Sequence, residues 1–153
     1  MVSRGPQALA LAAWGVTITP AAAAKLGVAP QDRVGVWAMN CWEWLVVHMA
    51  CARAGAVLVN VNPSSRAHEL NYILNKSRMK ALFLRERDEK ADYAGLLAGV
   101  RGGGEFALAH VIGFGTPAWE SLLAEEPRAS KAPIALDDPT NIQYTSGTTG
   151  DRK

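Results

Sequence analysis

Along the chain, short apolar runs alternate with longer stretches whose apolar residues recur three and four positions apart. The short runs are residues 33–38, alternating into Val34, Val36 and Trp37; 56–61, closed by Asn62-Pro63; 80–84; 107–112; and Asn141-Ile142-Gln143-Tyr144. Runs this short and apolar, bounded by turn residues, predict strands, and 56–61 has the continuous character of a strand buried on both faces. The stretches between them predict helices. A short one over 21–26 has Thr19 as its cap, Pro20 at the first helical position and Gly27 past its end. Another starts at Asn40, with Glu43 three residues on in a capping-box arrangement, and runs to Ala54 before Gly55. Ser65 caps the next, in which Ala67, Leu70, Ile73 and Leu74 share a face while Arg66, Glu69, Asn71 and Lys76 face water. Tyr93, Leu96, Leu97 and Val100 mark a weaker amphipathic helix, and residues 119–126 a short one. One leading helix followed by the order βαβαβαβαβ predicts an α/β fold, a mostly parallel sheet covered by helices.

The segment 40–54 is apolar nearly all round (Trp42, Trp44, Leu45, Val46, Val47, Met49, Ala50, Cys51), which predicts a helix buried against the sheet. Glu43 near its start and Arg53 near its end complement the helix dipole, and His48 reads as a packed side chain. Residues 85–92 read as a solvated loop and helix start, and Arg101-Gly102-Gly103-Gly104 as a flexible break. No repeat of fixed period is visible.

Composition narrows the partners. With 153 residues and 49% apolar content, the chain has the length and the core of one domain. Its 16 basic and 14 acidic residues nearly balance, which argues against a nucleic-acid or anionic-membrane surface and for a small ligand. Cys41 and Cys51 fall on one predicted helix, too far apart for a disulfide, so they read as thiols of a reducing, intracellular compartment. The cytoplasm is the default. Residues 1–31 hold Arg4 and Lys25 but no acid, and the alanine-rich 8–16 resembles a weak transit segment without a cleavage boundary, which keeps the mitochondrion open. No apolar run reaches the ~18 residues of a membrane span. His48, His68 and His110 lack ligand spacing, so no structural metal is expected. Nothing specifies an oligomeric state.

The candidate chemistry is at the end of the chain. After the last predicted strand comes Thr145-Ser146-Gly147-Thr148-Thr149-Gly150-Asp151-Arg152-Lys153. Gly147 and Gly150 let backbone N–H groups approach an anion. The hydroxyls of Thr145, Ser146, Thr148 and Thr149 add neutral donors, and Lys153 adds a positive charge. This is a phosphate loop, but not the Walker A pattern, in which glycine directly precedes lysine; here Arg152 does. A competing constellation is Gly113-Phe114-Gly115-Thr116-Pro117-Ala118 with Asp137 beyond it, which imitates an NAD(P)-binding Rossmann fingerprint built on Gly113 and Gly115. Its helix is short and proline-started, and the stretch before Asp137 is barely a strand.

The segment 137–150 followed by Lys153 closely resembles the phosphate loop of the adenylate-forming (AMP-binding) superfamily, where the pattern reads TSGTTG, any residue, usually proline, then lysine. Further matches look like its fatty-acyl-CoA ligase branch: Asp32-Arg33-Val34-Gly35-Val36-Trp37, Asn40 with Glu43-Trp44, Ala52-Arg53-Ala54-Gly55-Ala56, and Val59-Asn60-Val61-Asn62-Pro63 with Glu69-Leu70. The similarity covers roughly residues 25–153. Two departures stand out: Arg152 replaces the usual proline, removing a φ restraint and adding a charge, and the start is shorter and richer in alanine than the family's lead-in helix.

The resemblance implies that a carboxylic or fatty acid is activated by ATP, with Mg²⁺, as an acyl-adenylate and then transferred to coenzyme A. It implies that Thr145, Ser146, Gly147, Thr148, Thr149, Gly150 and Lys153 bind the nucleotide, with no catalytic base, nucleophile or metal ligand among them. The expected organisation is an N-terminal lead-in over 1–18, open to disorder, then a partial N-terminal α/β domain over 19–153 ending in the phosphate loop. The chain is thus expected to be an N-terminal portion of a larger ligase, inactive and marginally stable alone. A non-catalytic truncated relative is the third reading.

Overall fold

The computed structural model of the protein describes residues 20–102, 106–125 and 135–144. In chain order these are α1 (Pro20–Lys25), β1 (Arg33–Trp37), α2 (Trp42–Ala54), β2 (Val57–Val61), α3 (Ala67–Ser77), β3 (Ala81–Leu84), α4 (Tyr93–Arg101), β4 (His110–Gly113), α5 (Pro117–Leu123) and β5 (Asn141–Gln143). The strands form one sheet of five in the order β4-β3-β1-β2-β5. Every pairing is parallel. β1 lies at the centre, with Val34 opposite Leu58 of β2 and opposite Ala81 of β3.

Side chains alternate across the strands and so feed two cores. On one face Val34, Val36, Leu58, Ala81, Phe83 and Ile112 meet Val46, Val47, Ala50 and Cys51 of α2 and Trp119 and Leu122 of α5. On the other, Trp37, Val59, Val61, Leu82 and Leu84 meet Leu70, Ile73 and Leu74 of α3 and Tyr93, Leu97 and Val100 of α4. Burial on both faces is why β1, β2 and β3 run largely apolar, whereas the edge strands β4 and β5 carry His110, Asn141 and Gln143.

Several local expectations are corrected. α2 is not opened by an Asn40 capping box: Cys41 is its cap residue and makes no side-chain capping bond, and the Glu43 carboxylate that a box would turn back to the cap is turned to Arg85. Cys41 therefore precedes the helix that carries Cys51, and both are free thiols. α2 is also not buried all round, since Leu45 and Met49 are about half exposed on its outer side. Arg66, not Ser65, caps α3, with its backbone N–H donating to Glu69 Oε2 at 2.9 Å; Ser65 is buried instead, and Ala67 is exposed. α5 begins at Pro117, two residues earlier than expected, because the Thr116 hydroxyl accepts from the Trp119 N–H. β4 is confined to the four residues 110–113. Other predicted ends hold: Gly55 closes α2 at φ +70°, a conformation only glycine adopts freely, and its N–H donates to the Cys51 carbonyl.

Gly35 in β1 shows how tightly the second core is filled. A Cβ added there would stand 2.4 Å from Met79 Sδ and 2.8 Å from Leu82 Cδ1, both on fully buried side chains. Gly35→Ala is expected to destabilise the fold by about 1–3 kcal/mol through overpacking, read as a lower urea midpoint at unchanged slope. An unchanged midpoint would show that Met79 has room to move.

Candidate functional site

Because the sheet is wholly parallel, the carboxyl ends of its strands share one rim, where ligands bind in open α/β sheets. Onto it open residues 38–41 after β1, 62–66 after β2, 85–92 after β3 and 114–116 after β4. β5 brings Tyr144 to the same rim. Three parallel register pairs fix β5 beside β2: Leu58 with Asn141, Val59 with Ile142 and Asn60 with Gln143. Ile142 and Tyr144 pack against the second core, and the Tyr144 ring meets Tyr72 of α3 edge-on, with centroids 6.1 Å apart and planes at 81°. The candidate residues Thr145, Ser146, Gly147, Thr148, Thr149, Gly150 and Lys153, with Arg152, lie outside the described residues. The strand that leads into them is in place beside β2.

The rim is cross-strapped by polar bonds that sequence reasoning missed. Arg85, just after β3, donates through Nη2 to both Glu43 oxygens at 3.3 Å, and Glu43 is only 8% exposed. Glu43 thus ties the first turn of α2, where the loop after β1 ends, to the loop after β3 instead of serving only the dipole of α2. Burial pushes the Cys41 thiol beside this pair above the ordinary range, and burial alone pushes Cys51 up to about 12. The Trp37 indole N–H donates to the Asn62 carbonyl at 3.1 Å and joins β1 to the loop after β2. The Trp44 indole N–H donates to Asn60 Oδ1 at 3.2 Å, beneath the β2–β5 pair.

Residues 85–92 are accordingly more than a solvated loop. Asp88 Oδ1 accepts from the backbone N–H groups of Lys90 and Ala91, and Asp88 Oδ2 accepts from the Tyr93 hydroxyl at 2.8 Å. Asp92 caps α4 by accepting from the Gly95 N–H at 2.9 Å. The signal in the sequence was opposite charge after two strands, Glu43 and Arg85; it became readable only once β1 and β3 were known to be neighbours.

The glycines of the dinucleotide-like constellation have local roles. Gly115 turns the chain at φ +78°, Gly113 passes so close to Glu86 that a Cβ would stand 2.8 Å from its Oε1, and the Thr116 hydroxyl donates to the Gly113 carbonyl at 2.7 Å. The helix that follows, α5, has seven residues, and Asp137 is exposed beyond it. Nothing here favours NAD(P). Among the described residues no group of three or more His, Cys, Asp or Glu side chains is placed to hold a metal ion, and no helix is long and apolar enough to cross a membrane.

The family model of the AMP-binding enzymes matches residues 21–153. The chain belongs to that family, and its relatives are acyl-CoA ligases. The mitochondrial medium-chain acyl-CoA ligase ACSF2 of Macaca fascicularis is 32% identical over 154 residues, covering 84% of this chain and 25% of that protein. A Mycobacterium tuberculosis enzyme, 3-[(3aS,4S,7aS)-7a-methyl-1,5-dioxo-octahydro-1H-inden-4-yl]propanoyl:CoA ligase, is 35% identical over 143 residues, 87% of this chain and 28% of that one. Among solved structures, the inhibitor-bound N-terminal domain of FACL13 from Mycobacterium tuberculosis superposes with a TM-score of 0.78 at 26% identity, over 93% of this chain and 35% of that chain. The chain spans about a quarter of the length of the curated relatives it matches. The α/β fold and the AMP-binding resemblance read from the sequence are both borne out.

Two measurements test the rim. Arg85→Ala leaves the Glu43 carboxylate buried without its partner and is expected to cost about 1–2 kcal/mol in urea unfolding, the pair being partly open to water. Arg87→Ala, which loses only a well-exposed bridge to Asp92, should leave the midpoint in place. Equal effects would deny the special standing of Arg85. The second test is pH. Burial, and then the hydrogen bond to Asp88, push the Tyr93 phenol up to about 12. The unfolded phenol releases its proton first, so this stabilisation is complete below pH ~10 and is lost as pH rises towards ~12. Tyr93→Phe should remove that alkaline slope from the unfolding free energy.

Proposed function

We propose that this chain is the N-terminal part of an ATP-dependent acyl-CoA ligase, with residues 1–18 as lead-in and 19–153 as a partial N-terminal domain ending in the phosphate loop. The observation that carries the reading is the AMP-binding match across residues 21–153, reaching the loop itself, together with relatives that are acyl-CoA ligases. In the proposed reaction a carboxylic acid, a fatty acid by resemblance, attacks the α-phosphate of ATP and pyrophosphate leaves. The thiol of coenzyme A then displaces AMP from the acyl-adenylate.

Charge develops on the departing phosphates in the first step, so the useful groups are donors already aimed at them. Gly147 and Gly150 admit the phosphates to the backbone N–H groups. Thr145, Ser146, Thr148 and Thr149 donate hydroxyl hydrogen bonds, and the Lys153 ammonium offsets the growing negative charge. None of them moves a proton or forms a covalent bond. Mg²⁺ belongs to the substrate side of this proposal, entering with the ATP phosphates, whose oxygens suit a hard cation. The free thiols Cys41 and Cys51 fit an intracellular site, in the cytoplasm or in the mitochondrion, the compartment that ACSF2 carries in its name.

The test is acid-dependent exchange between ATP and pyrophosphate in the ligase that contains this chain. Lys153→Ala should lower the exchange rate by roughly 10²–10³, the loss expected for one preorganised charge-stabilising group, and change acid binding far less. Unchanged exchange would remove Lys153 from the mechanism. Arg152→Pro restores the φ restraint usual in the family, and faster exchange is its expected result.

A further inference from the structure

We infer that the outer face of α2 is an internal packing surface of the ligase, covered by an apolar, uncharged surface of the remaining polypeptide. The inference rests on the ligase reading above. α2 turns Val46, Val47, Ala50 and Cys51 to the sheet, and its exposed positions are Leu45, Met49, Ala52 and Arg53. Leu45 and Met49, 49% and 47% exposed, stand one turn apart and form one continuous apolar surface, which Ala52 extends. A helix apolar all round belongs inside a protein, and a contiguous exposed patch marks a contact. Arg53, the one charge among these positions, lies in the last turn, where the helix dipole favours it. The opposite side of the sheet is finished differently. There α3 exposes His68, Asn71, Asn75 and Lys76 beside Ala67 and Tyr72, a largely polar surface suited to water. Two observations point to the remaining polypeptide as the cover. The chain spans 25% of the length of its ACSF2 relative, which leaves most of the ligase to be placed. The place lies on the flank of α2: Trp44 bonds Asn60 of β2, Asn60 stands in register with Gln143 of β5, and β5 has no second strand neighbour among the described residues. An open sheet edge beside an apolar helix face lets further structure join both. A charged partner would find nothing to pair with on Leu45, Met49 or Ala52, so the cover is apolar.

Thiol labelling in the ligase that contains this chain decides this. Met49→Cys should react with a maleimide about tenfold more slowly than Lys76→Cys on the exposed side of α3, because a covered side chain reacts only through local opening. Peptide mass spectrometry separates both from the native thiols Cys41 and Cys51. Leu45→Cys repeats the measurement one turn earlier, should Met49→Cys fail to fold. Equal rates on the two helices would overturn the inference. So would protection that disappears on dilution, because the cover would then be a second copy of the chain. Labelling needs no catalysis. If the wild-type protein showed no acid-dependent exchange, the ligase reading would fail, and the rate ratio would still decide whether the rest of the polypeptide covers α2.

Discussion

The fold depends on β1 being hydrogen-bonded on both sides while both its faces are buried. Its register with β2 and β3 aligns Val34, Val36 and Trp37 with their partners over the full strand. Parallel neighbours cannot be joined by a tight turn, so each step of the chain must cross a face of the sheet, and the helices that make those crossings supply the apolar cover. α2 and α5 take one face, and α3 and α4 the other. The same constraint turns every strand the same way. The rim is thus a consequence of parallel pairing, and β5 brings Tyr144 to it beside β2.

Those loops are polar and must be held without a core of their own. Arg85 joins the third to the first through Glu43, Trp37 joins the first to the second through the Asn62 carbonyl, and Tyr93 draws Asp88 back against α4. Each bond has one partner that is largely or wholly buried (Glu43, Trp37, Tyr93), where an unmade hydrogen bond would be costly. The bonds leave these loops ordered without a ligand, so that binding at this rim would need little reorganisation of them.

Much of this was legible beforehand. Gly27 and Gly55 ended helices as expected, because positive φ leaves few other residues a choice. The apolar runs gave all five strands, since only a doubly covered sheet explains runs such as 56–61 with no polar face. What failed were the polar details. Asn40 and Ser65 have the chemistry of caps, and neither caps: Glu43 found a better partner in Arg85, and Ser65 was drawn inside. Capping preferences are worth about 1 kcal/mol, a margin that tertiary contacts readily exceed. The family was legible in a different way, from contiguous motifs, and residues 21–153 match the AMP-binding family model; the terminal loop read as a phosphate loop lies outside the described residues.

The sequence by itself determined the alternation of elements, the burial of the central strands, the parallel character of the sheet and the family to which the chain belongs. Each of these is encoded locally, in the period of apolar residues or in a contiguous motif. The tertiary structure alone decided the strand order, with β3 crossing to the far side of β1 and β5 returning to the edge beside β2. It thereby decided which distant residues meet: Glu43 with Arg85, Trp37 with Asn62, Tyr72 with Tyr144. The physical reason is that one period of apolar residues suits several strand orders, and only the joint packing of two cores selects among them.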